Sequence, residues 1–130
     1  GTAMQETALD GICLVAPTTT RERVEYLAGI ATGFIYYVSL KGITGSGQLD
    51  SPEISEPIAQ IREFSDLPVA VGFGIKGAEM AASVAAYADA VVIGSALVEI
   101  LSKAETGSDA ARLATAFLAP VRESLDNMFK

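Results

Sequence analysis

The sequence predicts an α/β fold in which an all-parallel sheet is covered by helices. Three observations predict it. Short runs of β-branched and aromatic residues recur at Gly11–Ala16, Phe34–Val38, Val69–Val71 and Ala90–Ile93, with the length and composition of buried strands. The stretches between them carry apolar residues at helical spacing. Three of the runs lead straight into glycine-bearing turns: Ser39-Leu40-Lys41-Gly42-Ile43-Thr44-Gly45, Gly72-Phe73-Gly74 and Gly94-Ser95-Ala96. Strands alternating with helices at this spacing imply parallel pairing through right-handed crossovers.

Taken in order, residues 1–10 are set aside as a helix remnant or cloning residues, with helix expected over 3–9. The chain as a whole, 1–130, reads as one domain. Gly11–Ala16 is a buried strand closed by Pro17. Thr18, Thr19 and Thr20 each suit a helix cap. Val24, Leu27, Ala28 and Ala31 then share one helical face. The loop from Leu40 to Asp50 is long for a strand-to-helix connection, and its glycines suggest a mobile lid. Ser51-Pro52-Glu53 starts a helix with a capping hydroxyl, a proline at the first position and an acid facing the dipole. Ile54, Ile58, Ile61 and Phe64 supply its buried face. An alanine-rich helix follows over 78–88, with Met80, Ala81, Val84 and Tyr87 inward. A short helix is expected over 96–102. Gly107-Ser108-Asp109 caps a last helix over 109–127, which Pro120 should kink or break.

Composition narrows the functional classes. The chain has 130 residues, half of them apolar, and a net charge of −7. That is enough for one folded core, and the charge argues against nucleic acid or an anionic membrane as partner. The sole cysteine, Cys13, sits in an apolar run and reads as a small core residue. With no histidine, neither a zinc nor a haem site is expected, and no cofactor is predicted. No apolar run reaches the roughly 18 residues of a membrane helix, and no signal peptide is visible, so a cytoplasmic location is the default expectation.

In α/β folds, ligands bind at the carboxyl ends of the strands. Those ends offer Pro17, Thr18, Ser39, Lys41, Thr44, Gly45, Gly72, Phe73, Gly74, Gly94 and Ser95. They supply backbone donors and hydroxyls, but no carboxylate, histidine or cysteine. Asp89 lies at the amino end of its strand. General acid–base chemistry needs a titratable side chain, and Lys41 is the nearest candidate. The chain is therefore expected to bind an anion rather than to react. Each glycine turn alone reads as an ordinary turn or cap. Together, Gly72–Gly74, Gly94-Ser95 and the short helix after them fit the phosphate site of a (β/α)₈ barrel, built from its last two loops and a short extra helix. The fold class expected is thus a (β/α)₄ half of a TIM barrel.

Phe34–Gly45, Val71-Gly-Phe-Gly-Ile75 and Ile93-Gly-Ser-Ala96 together resemble the tryptophan synthase alpha chain family, across roughly residues 8–128. The resemblance implies a lyase of tryptophan biosynthesis that cleaves indole-3-glycerol phosphate to indole and glyceraldehyde 3-phosphate. It implies that Gly45, Gly74, Gly94 and Ser95 hold the phosphate through backbone groups. Thr44 then belongs to a loop that closes over substrate. Phe73 and Val92 border the indole pocket, and Tyr36 is a site tyrosine. Leu40 stands where some members carry arginine. A full barrel of this kind has about 250 residues. The family's catalytic glutamate and aspartate belong to its second strand and the loop after it, which nothing in these residues matches. The chain is therefore expected to be the carboxyl-terminal half, strands 5–8, inactive alone and associating with itself to cover its open face. The beta chain partners the parent enzyme. Two other readings are a non-catalytic phosphate-binding half-barrel scaffold, and an isomerase or synthase of another phosphate-binding barrel family.

Overall fold

A computed structural model describes residues 6–39, 51–72 and 74–128. Four strands form one sheet in the order β1-β2-β3-β4: β1 (Cys13–Val15), β2 (Ile35–Val38), β3 (Val69–Gly72) and β4 (Ala90–Val92). Every neighbouring pair is parallel. The helices are α1 (Arg21–Ile30), α2 (Ser51–Arg62), α3 (Ala78–Ala85), α4 (Ser95–Leu101) and α5 (Gly107–Met128). Strand order follows chain order without reversal. Crossovers of one hand then put the helices on one face of the sheet, as in a barrel wall rather than a doubly wound sheet.

The register shows which face that is. Val15, Tyr37, Val71 and Val91 are paired in one row across the sheet. The first three are buried, and Val91 packs against the core they share with Ile54, Ile58, Ile61, Ala81 and Val84. The adjacent row, Leu14, Tyr36, Ala70 and Ala90, points the other way. Leu14 is 60% exposed and only the small central Ala70 is buried. One face is a core and the other is bare.

Local chemistry explains the element ends. Of the three threonines, Thr20 caps α1: its side chain accepts from the Arg23 N–H at 3.3 Å. Thr19 instead closes the turn after β1, accepting from the Ala16 N–H at 2.9 Å. In α2, Ile54, Ile58 and Ile61 are 0–2% exposed, because positions four and seven residues on share one helical face. The Ser51 capping hydroxyl lies outside what is described.

Several expectations need correction. Residues 6–8 form a turn rather than helix. Cys13 is half-buried on an edge strand instead of enclosed. Helix α3 stops at Ala85; beyond it the Tyr87 and Ala88 N–H groups both donate to the Val84 carbonyl, at 3.0 and 3.2 Å, and both residues pack on the core. The last helix is capped by Thr106, whose hydroxyl accepts from the Asp109 N–H at 3.1 Å. Pro120 does not break it: α5 is continuous over 22 residues. Proline removes one N–H from the ladder, while α5 packs along both α3 and α4 and buries Val121. That packing holds the helix through the gap.

Candidate functional site

The two ends of the sheet differ in chemistry. At the amino end, polar side chains clasp the strand entrances. Asp89 accepts from the Val69 N–H at 2.9 Å and from Arg62 at 3.1 Å. The Asp89 N–H in turn donates to the Val69 carbonyl at 3.0 Å. The Val69 N–H, with help from Arg62, holds the Asp89 carboxyl below its usual range against the opposing effect of burial. Thr32 does similar work beside β1: its hydroxyl accepts from the Gly11 N–H at 2.7 Å, and its own N–H donates to the Gly11 carbonyl at 3.0 Å. Asp89 is therefore structural, as its place before a strand implied.

The carboxyl end has glycines where the amino end has clasps. Gly74 has φ +33°, the left-handed region, and a side chain there would find no atom within 4 Å. Its backbone is open to an incoming group. Gly94 is the N-cap of α4, with no side-chain hydrogen bond to that cap, and its carbonyl accepts from the Val98 N–H at 3.0 Å. Ser95 is the first helical residue and is exposed. Although 21 positions apart in sequence, Gly74 and Ser95 line one cleft of about 300 Å³, which Lys76, Ala96, Lys103 and Phe117 also border.

On the bare face, Tyr36 reaches across from β2 to the end of β3. Its ring lies over Gly72: a Cβ there would sit 2.2 Å from the phenolic oxygen and 2.9 Å from two ring carbons. Gly72 is thus the notch that lets Tyr36 lie along the strand ends. Val92 is half-buried and pairs with Gly72 in the row that ends with Val38. The Ser39 N–H donates to the Gly72 carbonyl at 3.2 Å, extending the pairing one residue beyond β2.

The structure therefore brings Gly74 and Ser95 together, with Gly94 adjoining, and sets Tyr36 and Val92 on the bare face nearby. Lys41, Thr44, Gly45 and Phe73 lie outside the described residues, as does the expected lid. Tyr37, which the sequence reading passed over, is a core residue; burial, with the Glu53 charge, raises its phenol pKa. The Thr106 cap had a signal, a threonine three residues before Asp109. Lys103 had none: its place in the cleft depends on how α4 lies against the turn after β3. Among the described residues, no three His, Cys, Asp or Glu side chains converge as metal ligands would. No described helix is long and apolar enough to cross a membrane.

Four consecutive β/α units with helices on one face of a parallel sheet define half of an α/β barrel. Comparison with known proteins identifies which. The tryptophan synthase alpha chain family model matches residues 1–126, and the chain belongs to that family. It is 49% identical to the alpha chain of Paraburkholderia phytofirmans over 125 residues, covering 96% of this chain and 46% of that one. With the alpha chain of Marinobacter nauticus it shares 46% over 121 residues, covering 92% and 45%. The solved tryptophan synthase subunit alpha of Legionella pneumophila superposes with a TM-score of 0.79 at 38% identity, over 97% of this chain and 46% of that one. A Mycobacterium tuberculosis tryptophan synthase structure gives 0.76 at 32%, over 95% and 43%. The chain thus spans somewhat under half the length of the relatives it matches.

Proposed function

We propose that these residues form the phosphate-gripping half of a tryptophan synthase alpha site. The parent activity is cleavage of indole-3-glycerol phosphate to indole and glyceraldehyde 3-phosphate. The observation that carries this reading is the convergence of Gly74 and Ser95 on one cleft at the carboxyl end of the sheet, in a chain of this family. In the proposed role, backbone N–H groups at Gly74, Gly94 and Ser95 surround the phosphate, with Gly45 completing the cup and Thr44 in the loop that covers it. Glycine permits close approach without a Cβ, and the N–H dipoles favour an anion. In this reading the indole ring lies against Tyr36 and Val92 on the bare face, and Phe73 borders the same pocket.

The proton transfers of this cleavage call for an acid and a base at the carboxyl end of the barrel. The carboxylates for them are proposed to come from further β/α units of the same barrel, seated on the bare face beside Leu14 and Tyr36. Docking to a beta chain is proposed for the assembled enzyme. The test is indole release from indole-3-glycerol phosphate, by this chain alone and mixed with a separately produced amino-terminal half of the Paraburkholderia phytofirmans alpha chain. Activity on mixing only is expected. Activity of the chain alone would overturn the assignment of the carboxylates to other units. No activity in either case would favour a phosphate-binding scaffold without catalysis.

For the isolated 130-residue chain, the occupant proposed for the bare face is a second copy. A two-fold partner places its β1 edge beside β4 and its β4 edge beside β1, and four strands become eight in parallel. The mixed edge-and-face patch includes Leu14, 60% exposed, and Ile12, 48% exposed, a large apolar area for a free monomer. Sedimentation at tens of micromolar should give a dimer or larger, whereas a monomer would overturn this arrangement.

A further inference from the structure

The chain carries a net charge of −7 and only nine basic residues, so where its cations lie free of carboxylates matters. Among the described residues, four of the five arginines pair with acids: Arg21 with Glu63, Arg62 with Asp89, Arg112 with Asp109 and Arg122 with Asp126. The fifth, Arg23, lies over the Tyr26 ring at 5.1 Å. The two described lysines, Lys76 and Lys103, form no ion pair with a described residue. They come from different elements, the turn after β3 and the turn after α4, yet both border the cleft that holds Gly74 and Ser95. One acid, Glu99, lines the same cleft.

We propose that Lys76 and Lys103 determine this chain's affinity for a phosphate dianion seated between Gly74 and Ser95, acting through charge rather than a fixed contact. This rests on the phosphate reading above. A chain of net negative charge repels a dianion at long range. Backbone dipoles act only close by, within the first turn. Two exposed lysines bordering the cleft, against one glutamate, supply a local excess of positive charge where the anion must enter. Because both are solvated, their attraction is modest and screened by salt. Glu99 opposes them.

Three substitutions separate this role from a structural one, because their signs differ. Inorganic phosphate is titrated into the full chain by calorimetry at low and high ionic strength. K76Q and K103Q should each weaken binding about three- to fivefold at low salt, and the double variant should do so roughly multiplicatively. E99Q should tighten it about two- to threefold. These differences should shrink to near nothing at about 0.5 M salt, where the screening length is only about 4 Å. Arg23→Gln, which removes the same charge far from the cleft, should leave affinity within about 1.5-fold. Phosphate binding that is equal in the wild type, K76Q, K103Q and E99Q would overturn the lysine proposal and leave the phosphate reading standing. No binding by the wild type would overturn both. A loss that E99Q shares with the lysine variants would mark a structural effect and overturn the charge mechanism.

Discussion

The amino and carboxyl ends of the same four strands have opposite designs. At the amino end, Asp89 and Thr32 close the strand entrances with direct hydrogen bonds to Val69 and Gly11. At the carboxyl end, Gly74 and Gly94 leave backbone without side-chain cover, and the described turns bear no carboxylate. Side-chain oxygens that accept backbone N–H groups stabilise a fold. The same N–H groups left open serve an incoming anion. Under the proposed function the difference is that between a scaffold and a site, and it generates distinct expectations for substitutions at each end.

The largest effect should come from Gly72→Ala. The added methyl would collide with the Tyr36 ring, so either Tyr36 or the end of β3 must move, at a cost of about 1–3 kcal/mol. Chemical denaturation should show the loss, and combining Gly72→Ala with Tyr36→Ala should recover part of it as a coupling energy. Additive losses would mean that the ring does not fill the notch. Asp89→Ala comes next. It leaves the buried Val69 N–H without its acceptor, for about 1–2 kcal/mol, of which the exposed Arg62 pair supplies only a small part. Because the Asp89 carboxyl is held below its usual range in the folded chain, its contribution is complete above about pH 4. It is lost as pH falls through the lowered folded value. Stability of the wild type should therefore decline more steeply below about pH 4 than that of Asp89→Asn. The smallest effect should be Ser95→Ala, within about 0.5 kcal/mol, since the Ser95 side chain is exposed at a helix start that does not depend on it. A large loss there would make the carboxyl end a structural element after all.

Much of this division could be read in the residues themselves. Ile54, Ile58 and Ile61 face the core because their spacing matches the helical turn. The junctions of β3 with Gly72 and Gly74 and of β4 with Gly94 were legible because β-branched runs and glycine are strong local signals. What could not be read locally depended on contacts between distant segments. Tyr36 over Gly72 joins two strands, and Lys103 in the cleft joins α4 to the turn after β3. Cys13 looked buried by its neighbours in sequence, but β1 is an edge strand and leaves it half-exposed. Pro120 looked like a break because local rules see only the missing N–H, whereas the packing of α5 on α3 and α4 carries the helix through.

The most direct test of the central claim is a map of inorganic phosphate binding by backbone amide NMR on the 130-residue chain. The account predicts shifts at the Gly74, Gly94 and Ser95 amides and none at Gly11, Val69 or Asp89. Shifts at the amino end, or no saturable shift at the carboxyl end, would contradict it.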